Sequence, residues 1–146
     1  MQSKYLIVMI CLIFVSCKTY TIEPLSFKEQ LLKVDPESMK SDENSKVRVG
    51  LTNVKFSYKS NKISYIKVVD KKGEKDIIAN SPAIEMRVTL KNNKKYHFYF
   101  DTVYLQNDTL IGGKSRFMPN LVTKIPFDEI FKIEVQDGGK NMKYSN

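Results

Sequence analysis

From position 46 onward, apolar and polar residues alternate with a period of two, the spacing of strands with one buried and one solvated face. Val47, Val49 and Leu51 share one phase, which then shifts by one residue to Val54, Phe56 and Tyr58. Such a shift exchanges the two faces of a strand, so a bulge or turn is required at Thr52-Asn53. Ser60-Asn61 is a turn signal, residues 63–69 make the next strand, and Asp70-Lys71-Lys72-Gly73 closes a hairpin onto a short return over residues 75–79. The clearest hairpin occupies residues 84–100. Ile84, Met86, Val88 and Leu90 lie on one face, Asn92-Asn93 turns, and Tyr96, Phe98 and Phe100 alternate back. Val103 and Leu105 continue into a strand that turns at Asn107-Asp108 and returns through Leu110-Ile111 to Gly112-Gly113. Residues 114–123 read as a loop. Residues 125–130 predict a single helical turn, and Phe131, Ile133 and Val135 mark a last strand. This spacing predicts a mainly β fold: a single small antiparallel β-barrel or sandwich.

The chain before position 46 follows other rules. Lys4 precedes an unbroken apolar run over residues 5–15, the layout of a secretory signal over residues 1–16. Crossing a bilayer as a helix takes about 20 apolar residues, and this run is shorter. Residues 17–45 contain Pro24, Pro36 and a polar run over 38–45, and are expected to form a flexible tether reaching about 90 Å when extended. Within it, Ser26 followed by Glu29 forms a capping-box pattern, so residues 27–34 can form one short helix if Phe27, Leu31 and Leu32 dock on the body. The β domain is then residues 46–137, and residues 138–146 a frayed tail.

Phe14-Val15-Ser16-Cys17 resembles the bacterial lipobox, with Phe14 standing where Leu is usual. The resemblance implies cleavage between Ser16 and Cys17, a diacylglycerol thioether on the Cys17 sulfur and acylation of the new amine. The competing reading is ordinary cleavage and release of a chain with a free thiol. Lys18 stands where an aspartate would retain an enterobacterial lipoprotein in the inner membrane, which favours the outer membrane. The spacing as a whole is similar to small lipoproteins of Bacteroidota-type bacteria whose activities are unknown. The order of strand, tight turn, strand, glycine pair, helical turn and closing strand in the C-terminal half also resembles SH3-like and Sm-like small barrels.

Charge and cysteine content narrow the chemistry. The net charge is +8, and removing residues 1–16 takes away only Lys4, leaving +7. The excess is lysine on hairpin turns, and an exported chain rarely meets nucleic acid, so nucleic-acid binding is not expected. It returns only if an Sm-like barrel stays in the cytoplasm. Cys11 leaves with the signal and Cys17 is expected to be lipidated, so the mature body has neither thiol nor disulfide.

His97 is the single histidine, and zinc needs three or four Cys, His or carboxylate ligands, so neither a metal nor a cofactor is expected. His97 with Asp101 could act as a general base, but a half-exposed strand histidine explains it better. Asp101 with Asp108, or Asp128 with Glu129, could flank a sugar bond, but turn geometry accounts for these aspartates. No nucleophile elbow is present, and Gly112-Gly113-Lys114-Ser115 lacks the earlier glycine of a phosphate loop. Lys114, Arg116 and Phe117 sit together in a glycine-flanked loop suited to gripping a carboxylate or phosphate, or serving as a plain loop connection. Asp101-Thr102-Val103 and Asp108-Thr109-Leu110 resemble the Asp-Thr-aliphatic O-glycosylation acceptor of Bacteroidota-type bacteria, Thr109 being the more accessible.

The expectation is therefore a lipid-anchored envelope lipoprotein, held at the membrane by acyl chains on Cys17. It acts as a non-catalytic binding or assembly module for another envelope protein or an anionic envelope component. The rival is an enzyme acting on an envelope glycan or lipid.

Overall fold

The computed structural model describes residues 18–37, 39, 45–50, 54–118 and 120–145. The chain order is β1 (Thr19–Ile22), α1 (Pro24–Leu31), β2 (Ser45–Val49), β3 (Lys55–Tyr58), β4 (Tyr65–Val69), β5 (Lys75–Ala79), β6 (Ile84–Leu90), β7 (Lys95–Tyr99), β8 (Val103–Gln106), β9 (Thr109–Gly113), β10 (Val122–Pro126), β11 (Ile130–Asp137) and β12 (Met142–Tyr144). Single 3₁₀ turns follow β7 at Phe100–Thr102 and β10 at Phe127–Glu129. The fold is mainly β and antiparallel throughout, with one helix, as a small barrel-like or sandwich arrangement requires.

A six-stranded sheet in the order β5-β4-β1-β11-β6-β7 forms the main wall, and a three-stranded sheet β10-β9-β8 faces it. Helix α1 packs on β4, β8 and β11. The alternation explains the core: Met86 and Val88 from β6, Phe98 from β7, and Ile133 and Val135 from β11 point inward. They meet Leu105, Leu110 and Ile125 from the facing sheet. A second small sheet, β12-β2-β3, buries Val47 and Tyr58. The tight turn between β8 and β9 holds Asn107 and Asp108 at φ of 49° and 51°. Two positive φ values are what a two-residue turn needs to match strand twist, and Asn and Asp tolerate them best.

Four local expectations are corrected. The tether read over residues 17–45 contains β1, which sits inside the main sheet between β11 and β4, with Thr19 opposite Gln136. Its four residues carry little apolar character, and their pairing partners are distant in sequence. The helix starts at Pro24 rather than Phe27, because Pro suits the first helical position with Glu23 as N-cap. Phe27 and Leu31 are fully buried while Leu32 is exposed. Each buried side chain contributes roughly 1.5–3 kcal/mol, enough to hold a helix too short to survive alone. The tail read over residues 138–146 is pinned, since β12 pairs with β2. Phe131 faces solvent because a bulge between Ile130 and Lys132 brings Ile130 inward instead. The phase shift after Val49 is a hairpin between β2 and β3, begun by Gly50 at φ 58°. Leu51, Thr52 and Asn53 lie outside the described residues.

Candidate functional site

Asp101 lies where the chain leaves β7 through the first 3₁₀ turn, and its carboxylate is fully buried. Arg116, from the β9–β10 loop, is turned inward with its side chain 3% exposed, and its Nη2 donates to Asp101 Oδ1 at 3.0 Å. The same nitrogen donates to the carbonyl of Pro82. Tyr144 donates its hydroxyl to Asp101 Oδ2 at 2.7 Å, and the Tyr58 hydroxyl donates to that oxygen as well. Two rings lie against the cation, the guanidinium carbon being 3.6 Å from the Tyr99 ring centroid and 4.7 Å from that of Tyr58. Asn61 closes the cluster: its amide donates to the carbonyl of Asp101 at 2.8 Å, and its Nδ2 donates to the carbonyls of Phe100 and Val103.

The electrostatics follow from this geometry. Burial, reinforced by the Asp101 carboxylate, pushes both Tyr58 and Tyr144 far above the ordinary tyrosine range. Both hydroxyls therefore stay protonated and donate, and the carboxylate receives three donors. These donors fill most of the acceptor capacity of the carboxylate, one on Oδ1 and two on Oδ2. The Arg116 Nε is buried without a partner. The cluster joins the end of β7, the segment before β6, the end of β3, the β9–β10 loop and β12.

Cavities flank this cluster. A groove of about 550 Å³ runs past Ser45, Ser60, Tyr65, Asn80 and Tyr144. Ser45 and Ser60 hydrogen-bond across it at 2.6 Å, and Asn80 Oδ1 is buried without a partner at its side. A second, of about 360 Å³, lies against Tyr58, Thr102, Tyr104, Arg116 and Val122.

His97 is elsewhere, exposed on the outer face of the main sheet and opposite Arg87 in register. Arg87 and Lys132 both bind Glu134, at 2.8 and 2.9 Å. Burial opposes ionisation of Glu134, but these two cations hold it below the usual carboxylate range. Lys140 bridges Glu85 at 2.7 Å and the Tyr99 hydroxyl at 2.6 Å, lowering Glu85 and raising its own value. His97 and Arg116 line different cavities, so His97, Asp101 and Arg116 do not share one.

The remaining sequence candidates separate cleanly. Lys114 and Phe117 are exposed on the loop that Arg116 roots, with Phe117 against Phe56 at 5.5 Å between centroids. Thr102 is buried and donates to the Tyr99 carbonyl, whereas Thr109 is half-buried beside the hairpin tip. Asp108 at that tip pairs with Lys28 at 2.6 Å. Ser16 and Cys17 lie outside the described residues. Among the described residues no group of three or more His, Cys, Asp or Glu could hold a metal, and no helix is long and apolar enough to cross a membrane. Tyr58, Tyr144 and Asn61 carried no local signal, since each joins Asp101 only through tertiary pairing. Comparison with known protein families, curated proteins and solved structures finds no match.

Proposed function

We propose that this chain is a lipid-anchored envelope lipoprotein whose β domain works as a non-catalytic binding or assembly module. The observation that carries the reading is the placement of Cys17: it follows an eleven-residue apolar run and Ser16, and stands two residues before β1. A thiol at that point joins fatty chains to the domain without disturbing the sheet. Several acyl chains make such an anchor stable where one would not. The occupied carboxylate of Asp101 supports a binding role, and the rival enzyme would need an acid and a base on one cavity, an arrangement His97 and Asp101 do not form. The partner is another envelope protein or an anionic envelope component, and the outer membrane is the favoured location.

The test is mass spectrometry of the mature N-terminus from membranes of cells expressing the full chain. An acylated peptide beginning at Cys17, lost in Cys17→Ser, is the expected result. An intact leader, or a bare thiol on a released chain, would sink it.

A further inference from the structure

The loop rooted by Arg116 presents an apolar tip. Phe117 is 77% exposed, Met118 54%, Leu121 48% and Val122 44%. Four large apolar side chains together on one loop form a patch, which a scatter of single exposed residues does not. The loop is not loose: Lys114 N donates to the Leu121 carbonyl, Leu121 N to that of Met118, and Arg116 is riveted to Asp101 and Pro82. The fold thus spends a buried ion pair on holding an apolar tip outward.

The position of this tip follows from register. Thr19 pairs with Gln136, Gln136 with Glu85, and Glu85 with Tyr99, one row across β1, β11, β6 and β7. Three strand spacings place Tyr99 about 14 Å from Thr19. Arg116 stacks on the Tyr99 ring, so the loop is rooted at the end of the sheet where β1 begins. Only Lys18 stands between Cys17 and Thr19, so the two are at most about 7 Å apart along the chain. The cations Lys18, next to Thr19 in the chain, and Lys114, on the same loop as Arg116, are both exposed.

We infer that Phe117, Met118, Leu121 and Val122 dock into the headgroup region of the same phospholipid bilayer that holds the anchor, fixing the domain's orientation on the membrane. This rests on the lipid-anchor reading, because only an anchor at Cys17 brings that end of the sheet to the lipid. The acyl chains provide attachment, so the loop sets orientation and its loss does not release the protein.

The chain contains no tryptophan, which makes a single introduced one a clean reporter. The full acylated chain carrying Phe117→Trp, and separately Met118→Trp, is reconstituted into phosphatidylethanolamine–phosphatidylglycerol vesicles with lipids brominated near the headgroup. Phe131→Trp is the control, since Phe131 is exposed at the opposite end of β11. The expected result is blue-shifted emission and loss of most of the intensity for Trp at 117 and 118, with Trp at 131 unquenched. Acylated protein whose loop tryptophans stay unquenched overturns the inference and leaves the anchor standing, whether the tip is then solvated or covered by a protein. Equal quenching at 131 also overturns it. Mass spectrometry of the same samples reports acylation separately, and a bare Cys17 overturns the anchor reading and the inference together.

Discussion

Tyr144 donates a hydrogen bond to Asp101 across 43 residues of sequence, closing the last strand over the buried carboxylate at 2.7 Å. Removing the hydroxyl leaves Asp101 one donor short inside the protein, where an under-satisfied charged acceptor costs about 1–3 kcal/mol. Tyr144→Phe is therefore expected to lower the urea midpoint with an unchanged denaturant slope. Truncation after residue 137 is expected to lower it further, because the β12–β2 ladder goes too. A truncated chain as stable as the full one would show the tail to be dispensable.

The Asp101–Arg116 pair makes a sharper prediction. Breaking a buried pair by removing one partner strands the other charge, at about 3–5 kcal/mol, whereas replacing both can be nearly neutral. Asp101→Leu and Arg116→Met should each be severely destabilising, and the double variant less so than the two losses added. Additive losses in a denaturant double-mutant cycle would show that the two groups do not stabilise the fold through each other. Arg116 is consequently a poor residue for testing ligand contact, since its loss unseats the whole loop; Phe117 is the better probe.

Alkaline pH addresses the tyrosines. Tyr58 and Tyr144 are raised in the folded state, by burial and then by Asp101. In the unfolded chain they ionise near the ordinary value of about 10. Below that value the folded and unfolded states hold the same protons, and the contribution is fully present. As pH climbs above it, only the unfolded state releases its protons, so stability falls. Absorbance titration of the native protein should show two tyrosines that ionise only on unfolding. Tyr58→Phe should reduce that number to one and flatten the alkaline loss of Tm.

Gly112 is fixed by packing. A Cβ there would sit 2.5 Å from Phe98 Cδ1 and 3.0 Å from Val103 Cγ1, inside the core. Overpacking of this kind costs about 1–3 kcal/mol. At Gly113 the nearest atom would be 3.8 Å away, an ordinary contact. Gly112→Ala should lower Tm clearly and Gly113→Ala hardly at all; equal effects would assign the cost to the backbone rather than to Phe98.

What the sequence made legible was local. The 84–90 and 95–99 strands, the Asn107-Asp108 turn and the 3₁₀ turn at 127–129 each follow from alternation or turn chemistry within a few residues. Strand β1 was not legible, because Thr-Tyr-Thr-Ile becomes a strand only through Gln136, Val135, Glu134 and Ile133 at the far end of the chain. Arg116 read as a candidate ligand contact for the same reason. Its glycine-flanked loop is visible in sequence, while Asp101, Pro82 and the two rings that lie against it converge only in the fold.

Gln30 shows how a side chain can stand in for a strand. Strands β1 and β4 share a single registered pair, Thr21 with Val69, so β4 would otherwise leave backbone groups unpaired where the helix replaces the sheet. Gln30, 6% exposed, fills that gap: its Oε1 accepts from Lys67 N at 2.7 Å and its Nε2 donates to the Lys67 carbonyl at 3.2 Å. One amide thus reproduces the donor and acceptor of a neighbouring strand residue. Gln30→Ala removes both partners at once and should cost about 1–3 kcal/mol. Gln30→Glu retains an acceptor for the Lys67 amide but loses the donor to its carbonyl, and adds a charge at a buried position. Native-state hydrogen exchange separates this account from simple loss of helix packing. In Gln30→Ala the Lys67 amide should lose protection selectively, while Ile66 and Val68, whose side chains face the core, keep most of theirs. Uniform loss across β4 would mean that Gln30 acts only by seating Phe27 and Leu31, and that the strand needs no substitute partner.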